Sequence, residues 1–335
     1  MNNEKYLIVS VDTEADWYHQ KENRIRNIEG IHYLQEKCSQ YGMIPTYLIT
    51  YEVAVNNKAV KILKQYHEKN ECEIGSHLHI WSTPPFEEPN EFNVDLKWFH
   101  GFQSELPDDL FYSKIENLHE LITKNFGGPP TSHRAGRMGA DLRTFRWLER
   151  NQYVVDSSVC SRKNFFYIKG KNKYSIPNTF NSPDLPYYPD HVDLTKPDIK
   201  SEIKYKILEI PVTGIPLIYC SEVKNKFVIF LGAILNKLGN YSVGNISFRP
   251  SYNIPMKQYT QLIEQLFKRK LPVLNFMFHS SELMLGTSPY SRTQRQLNAL
   301  KEKIEFVFKL AVKNGYSGCG MSEPAKHILN TNQIR

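Results

Sequence analysis

Glu73-Ile74-Gly75-Ser76-His77-Leu78-His79-Ile80-Trp81 sets two histidines among apolar residues near the end of a short apolar run. It reads as the end of a buried strand (Glu73, Ile74), a glycine turn (Gly75, Ser76), and two histidines separated by one apolar residue. Imidazole is the commonest biological metal ligand, and zinc takes its nitrogen at about 2.0–2.1 Å. Side chains two residues apart share a face in extended backbone, so His77 and His79 can meet on one ion. The plainer reading is a pair of histidines satisfied by backbone carbonyls at a strand end, because two ligands do not make a site. The other strands must supply a third ligand, a base and an acid.

Upstream, Tyr6 to Val11 is an apolar run broken by one serine, as in a strand buried on both faces of a parallel sheet. It runs into Asp12-Thr13-Glu14-Ala15-Asp16. Carboxylates just past a buried strand stand where α/β barrels carry their chemistry. Asp12 and Glu14 face the same way in extended backbone, whereas Asp16 suits a turn or helix cap. Ile28, Ile31, Leu34 and Cys38 have helical spacing to about Tyr41; Gly42 ends that helix, and Thr46 to Thr50 is the next strand. Val60, Leu63 and Tyr66 mark another helix before the quoted stretch. Strand, helix, strand, helix, strand is the rhythm of a parallel α/β fold.

Downstream, Ser82 to Pro107 is long enough for a lid or substrate-contacting loop, and Leu110 to Phe126 is helical. Ser132 to Gly139 is a short strand turning through glycine into a helix at Leu142 to Arg150. Arg134 at that turn suits a bidentate grip on a carboxylate. Val154 to Ser158 is a strand with a polar tip that includes Asp156. From Arg162 to about Tyr205 the periodicity fails, with short strand pieces expected at Glu209 to Pro211 and Leu217 to Tyr219. Phe227 to Leu235 is apolar with lysine flanks; it reads as a buried helix or as a peripheral membrane foot, and is too short to span a bilayer. A short strand at Ser247 to Pro250 and a helix at Met256 to Lys268 follow. Pro272 to Phe278 is the last strong strand and delivers His279, a candidate general acid or base. Arg292 to Asn314 is the longest helix, and Ser317 to Ser322 a closing strand.

The 335 residues suit one large barrel, and there is no repeat or clear linker, so one domain over 1–335 with an irregular insertion at about 162–245 is the simplest organisation. The net charge of +7 comes from scattered lysines and does not predict nucleic-acid binding. Five separated cysteines without a C-x-x-C pattern suggest neither a disulfide framework nor a cysteine metal site. The N-terminus enters a strand at once, without a leader pattern, and no run reaches membrane length, so a cytoplasmic protein is expected.

Taken in order, Asp12-Thr13-Glu14, Gly75 to His79, His133 to Gly136, Val155 to Ser158 and Phe276 to Glu282 resemble the five motifs of the polysaccharide deacetylase family, carbohydrate esterases that remove acetyl groups from sugars. The resemblance implies a distorted (β/α)7–8 barrel with a long loop-rich insertion over its mouth. It implies a divalent metal, zinc first with cobalt or nickel as alternatives, on Glu14, His77 and His79. It further implies Asp12 as base held by Arg134, His279 as acid, and Asp156 orienting either His279 or Arg134. Two positions depart from the family pattern. Thr13 stands where a second aspartate is usual, with Glu14 taking the ligand role, and Trp81 stands where the second histidine is usual, four residues after the first. The expected function is a metal-dependent hydrolase acting on an acetylated sugar in a polysaccharide, glycolipid or nucleotide-sugar precursor. A sugar-binding pseudoenzyme and a metal-dependent amide hydrolase of a small non-sugar substrate are the alternatives. The oligomeric state is left open.

Overall fold

The structure is a computed structural model, and it describes residues 4–88, 94–161, 163–164, 178–179, 181–199, 206–216 and 245–331. In chain order the strands are β1 (Lys5–Thr13), β2 (Pro45–Ile49), β3 (Glu73–Leu78), β4 (Ser132–Ala135), β5 (Val155–Asp156), β6 (Lys163–Asn164), β7 (Asn178–Thr179), β8 (Leu208–Glu209), β9 (Gly214–Pro216), β10 (Asn245–Ser247), β11 (Val273–His279) and β12 (Tyr316–Cys319). Seven of them form one parallel sheet in the order β11-β1-β2-β3-β4-β5-β8. β12 lies beside the first half of β1, at Lys5 to Ile8, and β2 takes the second half, at Val9 to Thr13.

Among the described residues the sheet curls but does not close by a continuous ladder. Single backbone bonds bridge from the end of β8 to β11: Thr213 N–H donates to Asn275 O (3.3 Å), Phe248 N–H to Thr213 O (2.7 Å) and Met277 N–H to Phe248 O (3.0 Å). The parallel order agrees with the strand-helix rhythm, and the curled, open form is the distorted (β/α) barrel that the motif resemblance implied. Its helices among the described residues are α1 (Ile31–Tyr41), α2 (Tyr51–Ala54), α3 (Asn57–His67), α4 (Asp108–Phe126), α5 (Leu142–Arg150), α6 (Met256–Lys268), α7 (Gln294–Lys313) and α8 (Glu323–Thr331). None of these is long and apolar enough to cross a membrane.

Local chemistry accounts for the main elements. β1 is buried on both faces from Leu7 onward, which explains its lack of alternation. The Asn56 side chain caps α3 by accepting from Ala59 N (2.9 Å), and Asp141 caps α5 through Arg143 N and Thr144 N. α6 has the expected bounds, and α7 lies within one or two residues of them. The chain end differs from expectation. The strand stops at Cys319, and a helix follows it. The strand expected at Ser247 to Pro250 instead ends at Ser247, where β10 pairs antiparallel with β9. Leu217 to Tyr219 and Phe227 to Leu235 lie outside the described residues, as does Cys220. The cysteines at 38, 72, 160 and 319 are free and buried.

Gly75 and Ser76 form no turn; they are the middle of β3, paired with Leu48 and Ile49 of β2. The glycine serves close packing instead. A Cβ there would stand 2.4 Å from Ser132 Oγ and 2.6 Å from Leu48 Cδ2. Gly75→Ala should therefore destabilise the fold by about 1–3 kcal/mol, the usual range for overpacking a filled core. Chemical denaturation of the two proteins checks this; a shift below about 0.5 kcal/mol, the level of an ordinary surface change, would mean that β2 and β4 yield freely.

Candidate metal and catalytic site

The parallel register brings strand tips together. Asp12 on β1 is paired with His279 on β11, His77 on β3 with Arg134 on β4, and Asp156 on β5 with both His133 and Glu209. Glu14 follows the end of β1 and His79 the end of β3. Glu14, His77 and His79 are all buried, and one ligand atom from each lies within 4.8 Å of the others. His79 Nε2 is 3.1 Å from His77 Nε2 and 3.1 Å from Glu14 Oε2. Two ligand atoms about 2.05 Å from a tetrahedral ion stand about 3.3 Å apart, so these two edges are nearly of ion-binding length.

The surroundings fix the donors. His77 Nδ1 donates to the Arg134 carbonyl (2.8 Å), which leaves its Nε2 lone pair facing His79. Burial lowers the His77 pKa to about 4, against the pull of Asp12. Burial also disfavours a charged His79, but the carboxylates of Glu14 and Glu52 overcome this and raise it to about 9. A proton at that nitrogen sits among the lone pairs that a cation would use. Glu14 Oε1 is buried with no hydrogen-bond partner, a second sign of an unmet positive charge. The residues present fit a divalent ion.

Glu52 has no role in the sequence reading. It belongs to α2, just past the tip of β2, and its Oε1 stands 3.7 Å from His79 Nδ1, an ion-pair separation rather than a hydrogen bond. Ser82 Oγ donates to its other oxygen (2.7 Å). Trp81 is buried and stacks on the His79 ring, with centroids 4.2 Å apart, and the Arg137 guanidinium lies 4.7 Å above the indole.

Asp12 and Arg134 form a buried ion pair through Asp12 Oδ1 and Arg134 Nη1. The contact is single, not the expected bidentate grip, because the other donors are taken. Arg134 Nη2 donates to Ser10 Oγ (3.0 Å) and Ser157 Oγ (2.8 Å), and Nε to Ser157 O (2.8 Å). Burial would raise the Asp12 pKa, but Arg134, His77 and His279 hold it down at about 2. Its free oxygen, Oδ2, lies 3.9 Å from His77 Nε2 and 4.0 Å from His279 Nε2.

His279 Nδ1 donates to Glu282 Oε1 (3.0 Å), and Glu282 is also paired with Arg249. Burial opposes the charged imidazole, but Glu282, Glu14 and Asp12 outweigh it and raise the pKa of His279. The Asp156 carboxylate accepts from Ser158 N and Ser158 Oγ, both at 2.9 Å. Burial raises both carboxyl pKa values, Glu209 the more strongly, with the neighbouring Asp156 carboxylate adding to the rise. A cavity of about 510 Å³ opens beside Asp156 and Ser158, bounded by Met138, Gly139 and Thr179, and its lining includes none of the three candidate ligands. Glu282 was visible at the end of the His279 motif, and Glu52 obeys the strand-tip rule. A lone acid two residues past a strand is too common a pattern to stand out.

No family model matches the sequence, and no curated protein matches it. Solved structures do share the fold. One, assigned as a glycoside hydrolase/deacetylase from Parabacteroides distasonis, is 11% identical over 99% of this chain and 73% of its own, with a TM-score of 0.62. Another, assigned as a polysaccharide deacetylase from Mycobacterium smegmatis, is 13% identical over 100% and 94%, with a TM-score of 0.54. An allantoinase, Puue, is 12% identical over 100% and 93%, with a TM-score of 0.52. At these identities the likeness is one of fold alone.

The cluster makes a direct expectation about metal content. Wild-type protein should bind one divalent ion, and His77→Ala/His79→Ala should lose it, as read by elemental analysis after dialysis. Glu52→Gln should keep the stoichiometry and weaken affinity by about 10–100-fold, the usual effect of removing a group behind a ligand. Full metal content in the double variant would place the ion elsewhere.

Proposed function

We propose that this protein is a metal-dependent hydrolase that removes acetyl groups from an N- or O-acetylated sugar in a polysaccharide, glycolipid or nucleotide-sugar precursor. The observation that carries the reading is the pairing of Asp12 with His279 across β1 and β11, directly beside the Glu14, His77 and His79 cluster. A divalent ion held by those three residues would supply Lewis-acid polarisation of the acetyl carbonyl and acidify the attacking water. Zinc suits this mixed nitrogen and carboxylate set, and cobalt or nickel fits it too.

The remaining roles fall to the chain's own groups. Asp12 is ionised at every working pH, and Oδ2 is the oxygen left to take the proton of the attacking water, since Oδ1 is engaged by Arg134. His279, drawn toward protonation by its three carboxylate neighbours, gives its Nε2 proton to the departing sugar nitrogen or oxygen. Glu282 holds the His279 ring through Nδ1 and thereby fixes Nε2 as the reactive nitrogen. Asp156 is assigned to the wall of the neighbouring cavity, not to the orientation of His279.

These roles separate in kinetics. Asp12→Asn should retain metal and lose about 10²–10⁴-fold in rate on acetylated amino sugars and on aryl acetates alike, because water must be deprotonated in both. His279→Ala should lose a similar factor on the sugars and far less on aryl acetates, whose leaving group needs little protonation. In the wild type, sugar deacetylation should fall as pH rises through the raised value of His279, and that alkaline limb should vanish in His279→Ala. Equal losses for both variants on both substrates would contradict the assignment, and an absence of acetate release from any acetylated sugar by metal-loaded protein would contradict the function.

A further inference from the structure

We propose that Trp17 is the stacking platform for the sugar ring on the leaving-group side of the site, which makes it a specificity-determining residue for a pyranose. The inference rests on the deacetylase reading for the meaning of that side, and on independent geometry for the platform. The chain has four tryptophans, and Trp81, Trp98 and Trp147 are buried, whereas Trp17 is 40% exposed. It stands three residues after Glu14. Its ring lies edge to face with His279 (centroids 6.2 Å apart, planes at 85°) and packs against Tyr290 at 6.0 Å.

The backbone that presents this ring is fixed on both sides. Trp17 N–H donates to Thr287 O (2.8 Å), and Asp16 N–H to Arg24 O (2.7 Å). The Asp16 carboxylate is fully buried and accepts from Asn27 N (3.0 Å) and Asn27 Nδ2 (2.9 Å). Asp16 therefore does more than cap a turn; it anchors the segment on which the indole stands. Exposed Tyr18 and Leu285 belong to the same two segments, so the rim here is apolar and aromatic.

Leaving an indole in water forgoes burial that the same chain achieves at its other three tryptophans. A rigid, exposed aromatic face beside an acid suits a ring with an apolar face of C–H bonds and a polar edge. A pyranose has both: its C–H face meets the electron-rich indole while its edge carries the atom that receives the proton. Stacking at Trp17 would hold the leaving nitrogen or oxygen toward His279.

Stacking would cover the exposed indole, so the part of the emission change that depends on Trp17 reports this event. Titrating the full-length protein with an N-acetylglucosamine trisaccharide should give a saturable change in emission, and Trp17→Phe should abolish it while thermal melting is retained. In kinetics, Trp17→Ala should lose about tenfold more in kcat/KM on the trisaccharide than on an aryl acetate, the scale expected for one stacked ring. Trp17→Tyr should recover part of that loss. Acetate release from the trisaccharide with no emission change, or with equal losses on both substrates, would overturn the platform and leave the hydrolase reading standing. Saturable quenching that needs Trp17, without acetate release from any sugar, would keep the platform and remove the hydrolase. A response to uridine and none to the trisaccharide would also overturn the proposal.

Discussion

The Arg134 guanidinium inside the barrel is the constraint on which the rest of the structure depends. It is wholly buried, and a buried charge is tolerated only when paired and hydrogen-bonded throughout. Its partners come from two strands and their tips: Asp12 and Ser10 from β1, and Ser157 just after β5. Asn275 of β11 joins them, accepting from Ser10 Oγ (2.7 Å) and donating to Ser157 Oγ (3.0 Å). Ser157 Oγ in turn donates to Ile210 O beyond β8 (2.7 Å). The network therefore spans the gap that the open sheet leaves between β8 and β11. Removing one member of a buried ion pair typically costs about 3–5 kcal/mol, because the other charge is stranded. The barrel interior is thus held in one arrangement by the same residue that keeps Asp12 ionised.

That arrangement divides the mouth into two electrostatic environments. On the β1–β3–β11 side, the carboxylates of Asp12, Glu14, Glu52 and Glu282 cluster around the imidazoles of His79 and His279 and draw both toward protonation. On the β5–β8 side, Asp156 and Glu209 face each other, and burial pushes both carboxyls toward the neutral form. Two carboxyls with opposed surroundings are a means by which one fold keeps separate protonation states at one pH. The first environment calls for a cation. The second does not, which agrees with the absence of the candidate ligands from the cavity beside Asp156.

The sequence makes the fold legible where burial is continuous. The apolar runs at Tyr6 to Val11 and Pro272 to Phe278 can only be strands covered on both faces, and both are. It makes the site legible at strand tips, because in a parallel sheet every tip faces the same mouth. Register is a different matter. That Asp12 meets His279 depends on pairing between residues far apart in the chain, and no local pattern encodes it. Glycine was misleading for a related reason. Gly75 looks like a turn because glycine usually supplies conformational freedom, whereas here it supplies space for Ser132 from a strand over fifty residues away. Glu52 acts on His79, a neighbour that only the folded chain provides.

Trp81 shows how a departure in sequence becomes a change in geometry. Histidines four residues apart reach one ion from a helical turn, where i and i+4 share a face. Here His77 lies in a strand, and the chain turns immediately after His79: the N–H groups of Ser82 and Thr83 both approach the His79 carbonyl, at 3.3 and 3.1 Å. The turn folds residue 81 back onto the His79 ring instead of toward the position between His77 and Glu14. A histidine at 81 on this backbone would stack on a ligand, not add one. Extended backbone puts the second imidazole at i+2, and the turn leaves i+4 free for an indole that covers the outer face of His79. Covering that face keeps water from His79 and strengthens its attraction to Glu14 and Glu52, since charges interact more strongly where solvent is excluded.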